Sequence, residues 1–145
     1  MSSDLPPSDQ PNSEPNGQPA YDSPFARLLE MRPGLSQDGR GSALMEIKEM
    51  HRQAAGAVQG GIIVTLADYA FHRAVRSVVP PEQGAVTVEL KLNFIAPARE
   101  GELTATSHIV NQGRYLMIGE MEVTDQDQRL IARGLGTYML LQPRS

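Results

Sequence analysis

Gly60-Gly61 runs straight into Ile62-Ile63-Val64-Thr65-Leu66-Ala67-Asp68-Tyr69-Ala70-Phe71-His72, a helical pattern that continues to about Val78. At about 100° per residue, Ile62, Ile63, Leu66, Ala67, Ala70, Phe71 and Ala74 share an arc slightly wider than half the circumference. The polar remainder carries Thr65, Tyr69, His72, Arg73 and Arg76, and Asp68 falls just past the apolar arc, beside Val64 and Val75. Pro80-Pro81 stops the pattern, because proline lacks the N–H and clashes with the preceding turn. A helix this apolar has to be wrapped by other elements, and that requirement constrains the fold more than any other feature of the chain.

The wrapping is written downstream. Val86, Val88, Leu90, Leu92 and Phe94 alternate with Thr87, Glu89, Lys91 and Asn93, the clearest period-2 signal in the sequence. Leu103 to Val110, Tyr115 to Thr124 and Leu130 to Leu141 read as three more strands, separated by the turns Asn111-Gln112-Gly113 and Asp125-Gln126-Asp127-Gln128. Upstream, Ser42 to Met50 alternates weakly and reads as a first strand, and His51 to Val58 as a loop feeding the glycine turn. One strand, a long helix and an antiparallel meander make an α+β architecture: an antiparallel sheet wrapped around one long central helix. Ser23 and Pro24 suit the N-cap and first position of a short helix with an apolar stripe of Phe25, Leu28 and Leu29, ended by Pro33-Gly34. Its expected role is to cover a mouth or an edge. Residues 1–20, rich in Pro, Ser, Asn, Asp and Gln, read as a disordered tail, and 21–145 as a single domain.

The chemistry in this pattern is a glycine turn and a carboxylate. First-turn N–H groups of a helix carry partial positive charge and favour a developing oxyanion. Asp68 follows Gly60 by eight residues, on the order of 12 Å along a helix axis. The two cannot serve one reacting atom from a single chain, so a second subunit has to bring them together. The exposed edges of a single sheet point the same way. A net charge of -4 without a basic run argues against nucleic acid as a partner. With no cysteine there is neither a disulfide framework nor a thiol nucleophile. His51, His72 and His108 show no ligand spacing with a carboxylate, so no metal is expected. No apolar run reaches the 18 or so residues of a membrane span, and the expected location is cytoplasmic. Arg99 and Arg114 are candidates for phosphate contacts, since arginine forks suit phosphate.

Over residues 40 to 142 the chain resembles the hot-dog-fold acyl-CoA thioesterases of the phenylacetate-pathway (PaaI-like) group. The resemblance rests on the glycine pair with Thr65-Leu66-Ala67-Asp68, on Val86 to Phe94, on Pro97-Ala98-Arg99-Glu100-Gly101, on Gln112-Gly113-Arg114 and on Ala132-Arg133-Gly134-Leu135-Gly136-Thr137. It implies a site between two subunits, with Gly60 as oxyanion donor, Asp68 as base or nucleophile and Thr87 orienting water or Asp68. It also implies Gly61 beside the substrate, and a homo-oligomer, dimer at least and commonly tetramer. Coenzyme A enters as part of the substrate, without a separate cofactor. Two positions depart from the family's pattern: Gln53 stands where asparagine is usual, and Gln59 where histidine is usual. Glutamine donates and accepts hydrogen bonds but holds no proton near neutral pH, so a mechanism needing imidazole at residue 59 is excluded. Gln53 and Gln59 are then expected to position the acyl group or the loop. Hydrolysis of a small aryl or short- to medium-chain acyl-CoA is the leading expectation. The alternative is a non-catalytic acyl-CoA or acyl-carrier binding protein. A hydratase would need a histidine paired with an acid, and Gln59 does not supply it.

Overall fold

The computed structural model describes residues 23–142, so the expected tail at 1–20 lies outside the described residues. A short helix α1 (Pro24–Leu28) leads into strands β1 (Arg32–Gln37) and β2 (Arg40–Glu46). A single 3-10 turn (Glu49–His51) and a loop precede the long helix α2 (Gly60–Arg76). Strands β3 (Ala85–Phe94), β4 (Glu102–Gln112), β5 (Leu116–Thr124) and β6 (Leu130–Leu140) follow. The six strands form one antiparallel sheet in the order β1-β2-β4-β5-β6-β3, and α2 packs on it. This is the sheet wrapped on one long helix expected of the hot-dog fold.

The helix is enclosed more completely than its periodicity implies. Leu66, Ala67, Ala70, Phe71 and Val75 are fully buried against Met45, Leu103, Met117, Met121, Val123 and Ile131 from the sheet. Each large apolar side chain so buried contributes about 1.5–3 kcal/mol. Tyr69, Arg73 and Arg76, expected on the polar face, are buried as well. The arginines are accommodated by carbonyl acceptors: Arg73 donates to Gly34 O, and Arg76 to Pro80 O (2.9 Å) and Gln83 O (2.6 Å). Their long stems cover apolar surface while the guanidinium groups meet carbonyls of β1 and of the loop after α2. Strand β2 crosses the helix at Gly41, where a Cβ would collide with the Ala70 carbonyl and the Ala74 amide. Gly41→Ala is therefore expected to destabilise the fold by roughly 3 kcal/mol, at the upper end of overpacking, a loss readable as a lowered urea midpoint.

Four expectations are corrected. First, a further strand, β1, occupies the residues read as a helix stop. It is joined to β2 by a two-residue hairpin at Asp38 (φ 52°) and Gly39 (φ 79°), the left-handed pair a tight hairpin requires. The first-strand reading of Ser42 to Met50 shifts accordingly to Arg40–Glu46. Second, only β4, β5 and β6 form the meander; β3 passes over to the far edge and pairs with β6. Third, β3 carries a bulge between Thr87 and Glu89. Val86 and Val88 are exposed, and Thr87, placed by strict alternation away from the helix, turns towards it. Fourth, of the expected stripe only Leu29 is buried; Phe25 and Leu28 of α1 are exposed, and Ala26 makes the other buried contact. Met117 and Met121 pack in the core, whereas Met139 is exposed.

Candidate active site

Residues 51–59 form a compact loop. Arg52 bridges Val58, Gln53 N–H donates to Ala57 O (2.8 Å) and Gly56 N–H to Gln53 O (2.9 Å). The buried His51 anchors it: its Nδ1 accepts from the Lys48 N–H (2.9 Å), leaving Nε2–H to donate to the Leu29 carbonyl (2.8 Å). Arg99 braces the loop from outside, donating to Ala55 O (3.1 Å), while Arg52 Nε donates to Arg99 O (2.9 Å). Gln53 is exposed, and its Oε1 accepts from the Ala55 N–H.

This loop delivers Gln59 as the N-cap of α2, with φ -58° and ψ 133° and no side-chain capping bond. Ser, Thr, Asp or Asn at that place would consume a first-turn amide; the longer glutamine here does not. Ile62 and Ile63 N–H return to Gln59 O (3.0 and 3.3 Å), while Gly60 and Gly61 precede the first intrahelical bond. Gly60 lines an apolar cleft of about 330 Å³ together with Val58, Ile63, Phe94 and Ala98. Around the Cβ position of Gly61 there is open space.

Two turns along the helix, Asp68 Oδ1 accepts from Thr87 Oγ1 (3.0 Å) and from the Tyr138 hydroxyl (2.8 Å). Thr87 and Tyr138 are directly paired across β3 and β6. The Tyr138 ring sits edge-on to Phe71 (centroids 4.7 Å) and stacked on His72 (6.0 Å). Burial raises the Asp68 carboxyl above the usual carboxylate range, opposed by the hydrogen bonds from Tyr138 and Thr87. Burial, and then the Asp68 charge, push the Tyr138 phenol up, so it remains a donor at all working pH values. Burial and the charges of Arg76 and Arg73 lower His72 to about 4, and it is neutral at pH 7.

The expected residues thus fall into separate groups within one protomer. Asp68 and Thr87 meet at mid-helix. Gly60, Gly61, Gln59, Gln53 and Arg99 gather at the helix N-terminus, about 12 Å away by helical rise. Arg114 lies at the β4–β5 turn, its guanidinium over the Tyr115 ring (5.2 Å). That turn is at the Ala85–Leu140 end of the β3–β6 ladder, opposite the Phe94 end where Arg99 is found. Tyr138 was not singled out by the sequence. The signal available was an aromatic with a polar tip following the small residues Gly134 and Gly136 in a strand. Among the described residues, no group of three or more His, Asp or Glu side chains is placed to hold a metal ion, and no helix is long and apolar enough to cross a membrane.

Comparison with known proteins adds a family. Residues 55–132 match the family model described as the thioesterase superfamily. A Saccharolobus solfataricus protein named as an esterase is 34% identical over 85 residues, a match taking in 59% of this chain and only 56% of that relative. Human acyl-coenzyme A thioesterase 13 is 31% identical over 100 residues, covering 66% of this chain and 69% of that one. The E. coli PaaI protein, from the phenylacetic acid degradation operon, superposes with a TM-score of 0.77 over 84% of this chain and 87% of its own. At 24% identity that likeness is one of fold.

Proposed function

For a chain that belongs to the thioesterase superfamily, and so is a thioester hydrolase, we propose the hydrolysis of small aryl or short- to medium-chain acyl-CoA thioesters at a site shared by two subunits. The observation that carries this reading is the half-buried Asp68 carboxylate, held through Oδ1 by two hydroxyl donors and raised above its usual pKa by desolvation. Such a carboxylate is a stronger base than a solvated one. The Gly60 N–H of the facing subunit binds the thioester oxygen. Asp68 acts as base or nucleophile. Along the base route it takes a proton from water, the resulting hydroxide adds to the carbonyl carbon, and the oxyanion forms against the Gly60 amide. Collapse breaks the C–S bond and expels a thiolate whose pKa, near the 8.5 or so of a free thiol, requires no strong acid. The carboxylate and the amide are together sufficient, so no separate cofactor is invoked. The apolar cleft beside Gly60 and Phe94 suits a small acyl group, and Arg99 and Arg114, each from a different subunit, are the candidates for the coenzyme A phosphates.

The edges of the sheet favour pairing through β3. At the other edge β1 is only six residues long and carries Pro33, features that blunt an edge. At its own edge β3 runs for ten residues without proline and exposes Val86 and Val88. An antiparallel β3–β3 contact between two copies would cover it, with a tetramer as a pair of such dimers.

The test is a panel of acetyl-, hexanoyl-, dodecanoyl-, phenylacetyl- and benzoyl-CoA with a thiol-detecting reagent. Saturable thiol release with at least one of them is expected. Tight, saturable binding without release would instead support the non-catalytic binder, the role that the departures at Gln53 and Gln59 leave open.

A further inference from the structure

We infer that Tyr138 is a positioning residue which, together with Thr87, fixes the orientation of the Asp68 carboxyl group and keeps one of its oxygens free of protein donors. The inference rests on the hydrolase reading of Asp68 above. A carboxylate has about four lone-pair sites on two equivalent oxygens, and rotation of its terminal torsion exchanges them. Here both protein donors converge on Oδ1, from Thr87 at 3.0 Å and Tyr138 at 2.8 Å. Neither of them engages Oδ2. A single donor leaves the carboxyl plane free to swing about its terminal torsion; two donors from adjacent strands hold it in one orientation.

The backbone is built to supply those two directions. The bulge between Thr87 and Glu89 turns Thr87 towards α2 directly opposite Tyr138 in the ladder, so the two hydroxyls come from adjacent strands. The Tyr138 side chain is 3% exposed and is wedged between Phe71 and His72, which leaves its hydroxyl little freedom. Both donors also favour the ionised carboxylate against the burial that disfavours it. The titratable and charged side chains on the elements packed around this trio are His72, Arg73 and Arg76 on α2, Glu89 and Lys91 on β3, Glu120 and Glu122 on β5 and Arg133 on β6. His72, stacked on Tyr138, is neutral above about pH 4.

The experiment is kcat/KM against pH, on whichever acyl-CoA of the panel is hydrolysed fastest, for the wild type, Tyr138→Phe and a protein carrying 3-fluorotyrosine at residue 138. Tyr138→Phe removes one oxygen and one donor; the acid limb is expected to move up by about one pH unit, with kcat falling more than KM changes. Fluorination makes the phenol a stronger donor in the same ring, and the limb is expected to move down. A packing role alone would lower stability without displacing the limb, so an acid limb that stays in place with both replacements overturns the inference. If Tyr138→Phe does not fold, the fluorinated protein decides alone. Asp68→Asn separates the two levels: full turnover by that variant removes the hydrolase role of Asp68, whereas an inactive Asp68→Asn beside an unmoved limb removes only the role of Tyr138.

Discussion

Asp68→Asn is expected to lose on the order of 10³-fold in kcat and to melt at a higher temperature than the wild type at pH 8. The activity loss follows from removing the half-buried carboxylate that Thr87 and Tyr138 hold by hydrogen bonds. The stability gain follows from linkage. Burial raises the folded-state pKa of Asp68 above its unfolded value, so the folded protein binds this proton more readily than the unfolded chain does. The ionised form therefore costs stability at every pH above the folded pKa, and that cost disappears as pH falls through it. Asparagine keeps the acceptor oxygen for Thr87 and Tyr138 but carries no charge, so it removes the cost. The melting-point gap should accordingly be widest well above the carboxylate range and close as pH falls towards the ordinary aspartate value, which a thermal-shift series reads directly. Near-wild-type thiol release by Asp68→Asn would end the assignment, and a more stable but inactive protein excludes misfolding as the cause.

The same residue marks how far the sequence could be read. The helix from Gly60 and the spans of β4, β5 and β6 follow from local periodicity and from the breakers between them, because burial on one face repeats at a fixed spacing. What local pattern does not encode is which strand lies beside which. Nothing between Ala85 and Phe94 says that this strand crosses to β6 instead of pairing with β4, because that choice is made by contacts distant in sequence. The bulge at Thr87 then reverses the facing of half the strand, and an alternation count carried through it puts Thr87 on the wrong side. Tyr138 was missed for the same reason: its role depends on register with Thr87, not on any neighbour in the chain. Strand β1 did have a local signal in Asp38-Gly39, but Pro33-Gly34 outweighed it because breakers are tolerated at a sheet edge. The burial of Arg73 and Arg76 depends on carbonyls presented by Gly34, Pro80 and Gln83, acceptors that exist only once the chain has folded around the helix.

Gly60→Pro should lower kcat on the order of 10²-fold, the loss of one oxyanion donor, in a protein that still folds. Gly60 is the first residue of α2, the position where proline is best tolerated because its N–H is not part of the helical ladder. Gln59, with φ -58° and ψ 133°, already has the extended conformation that a following proline demands. The added atoms would meet the ring of Phe94, which a Cβ at Gly60 approaches at 3.4 Å and which is itself exposed. Gly60→Ala controls for that contact: it adds a Cβ and keeps the amide, so it should retain most of the turnover. The decisive step is to combine defects. In the proposed dimer, Asp68→Asn lacks a carboxylate at both sites and Gly60→Pro lacks an amide donor at both. If each site takes its amide from one copy and its carboxylate from the other, a mixed dimer contains one site with both defects and one with neither. Random reassortment of equal amounts then restores about a quarter of wild-type activity, since half the dimers are mixed and half their sites are intact. If both groups came from the same chain, every site in a mixed dimer would carry one defect and mixing would restore nothing. Co-refolding the two variants and measuring thiol release distinguishes the arrangements, because recovery by two inactive proteins requires a site divided between them.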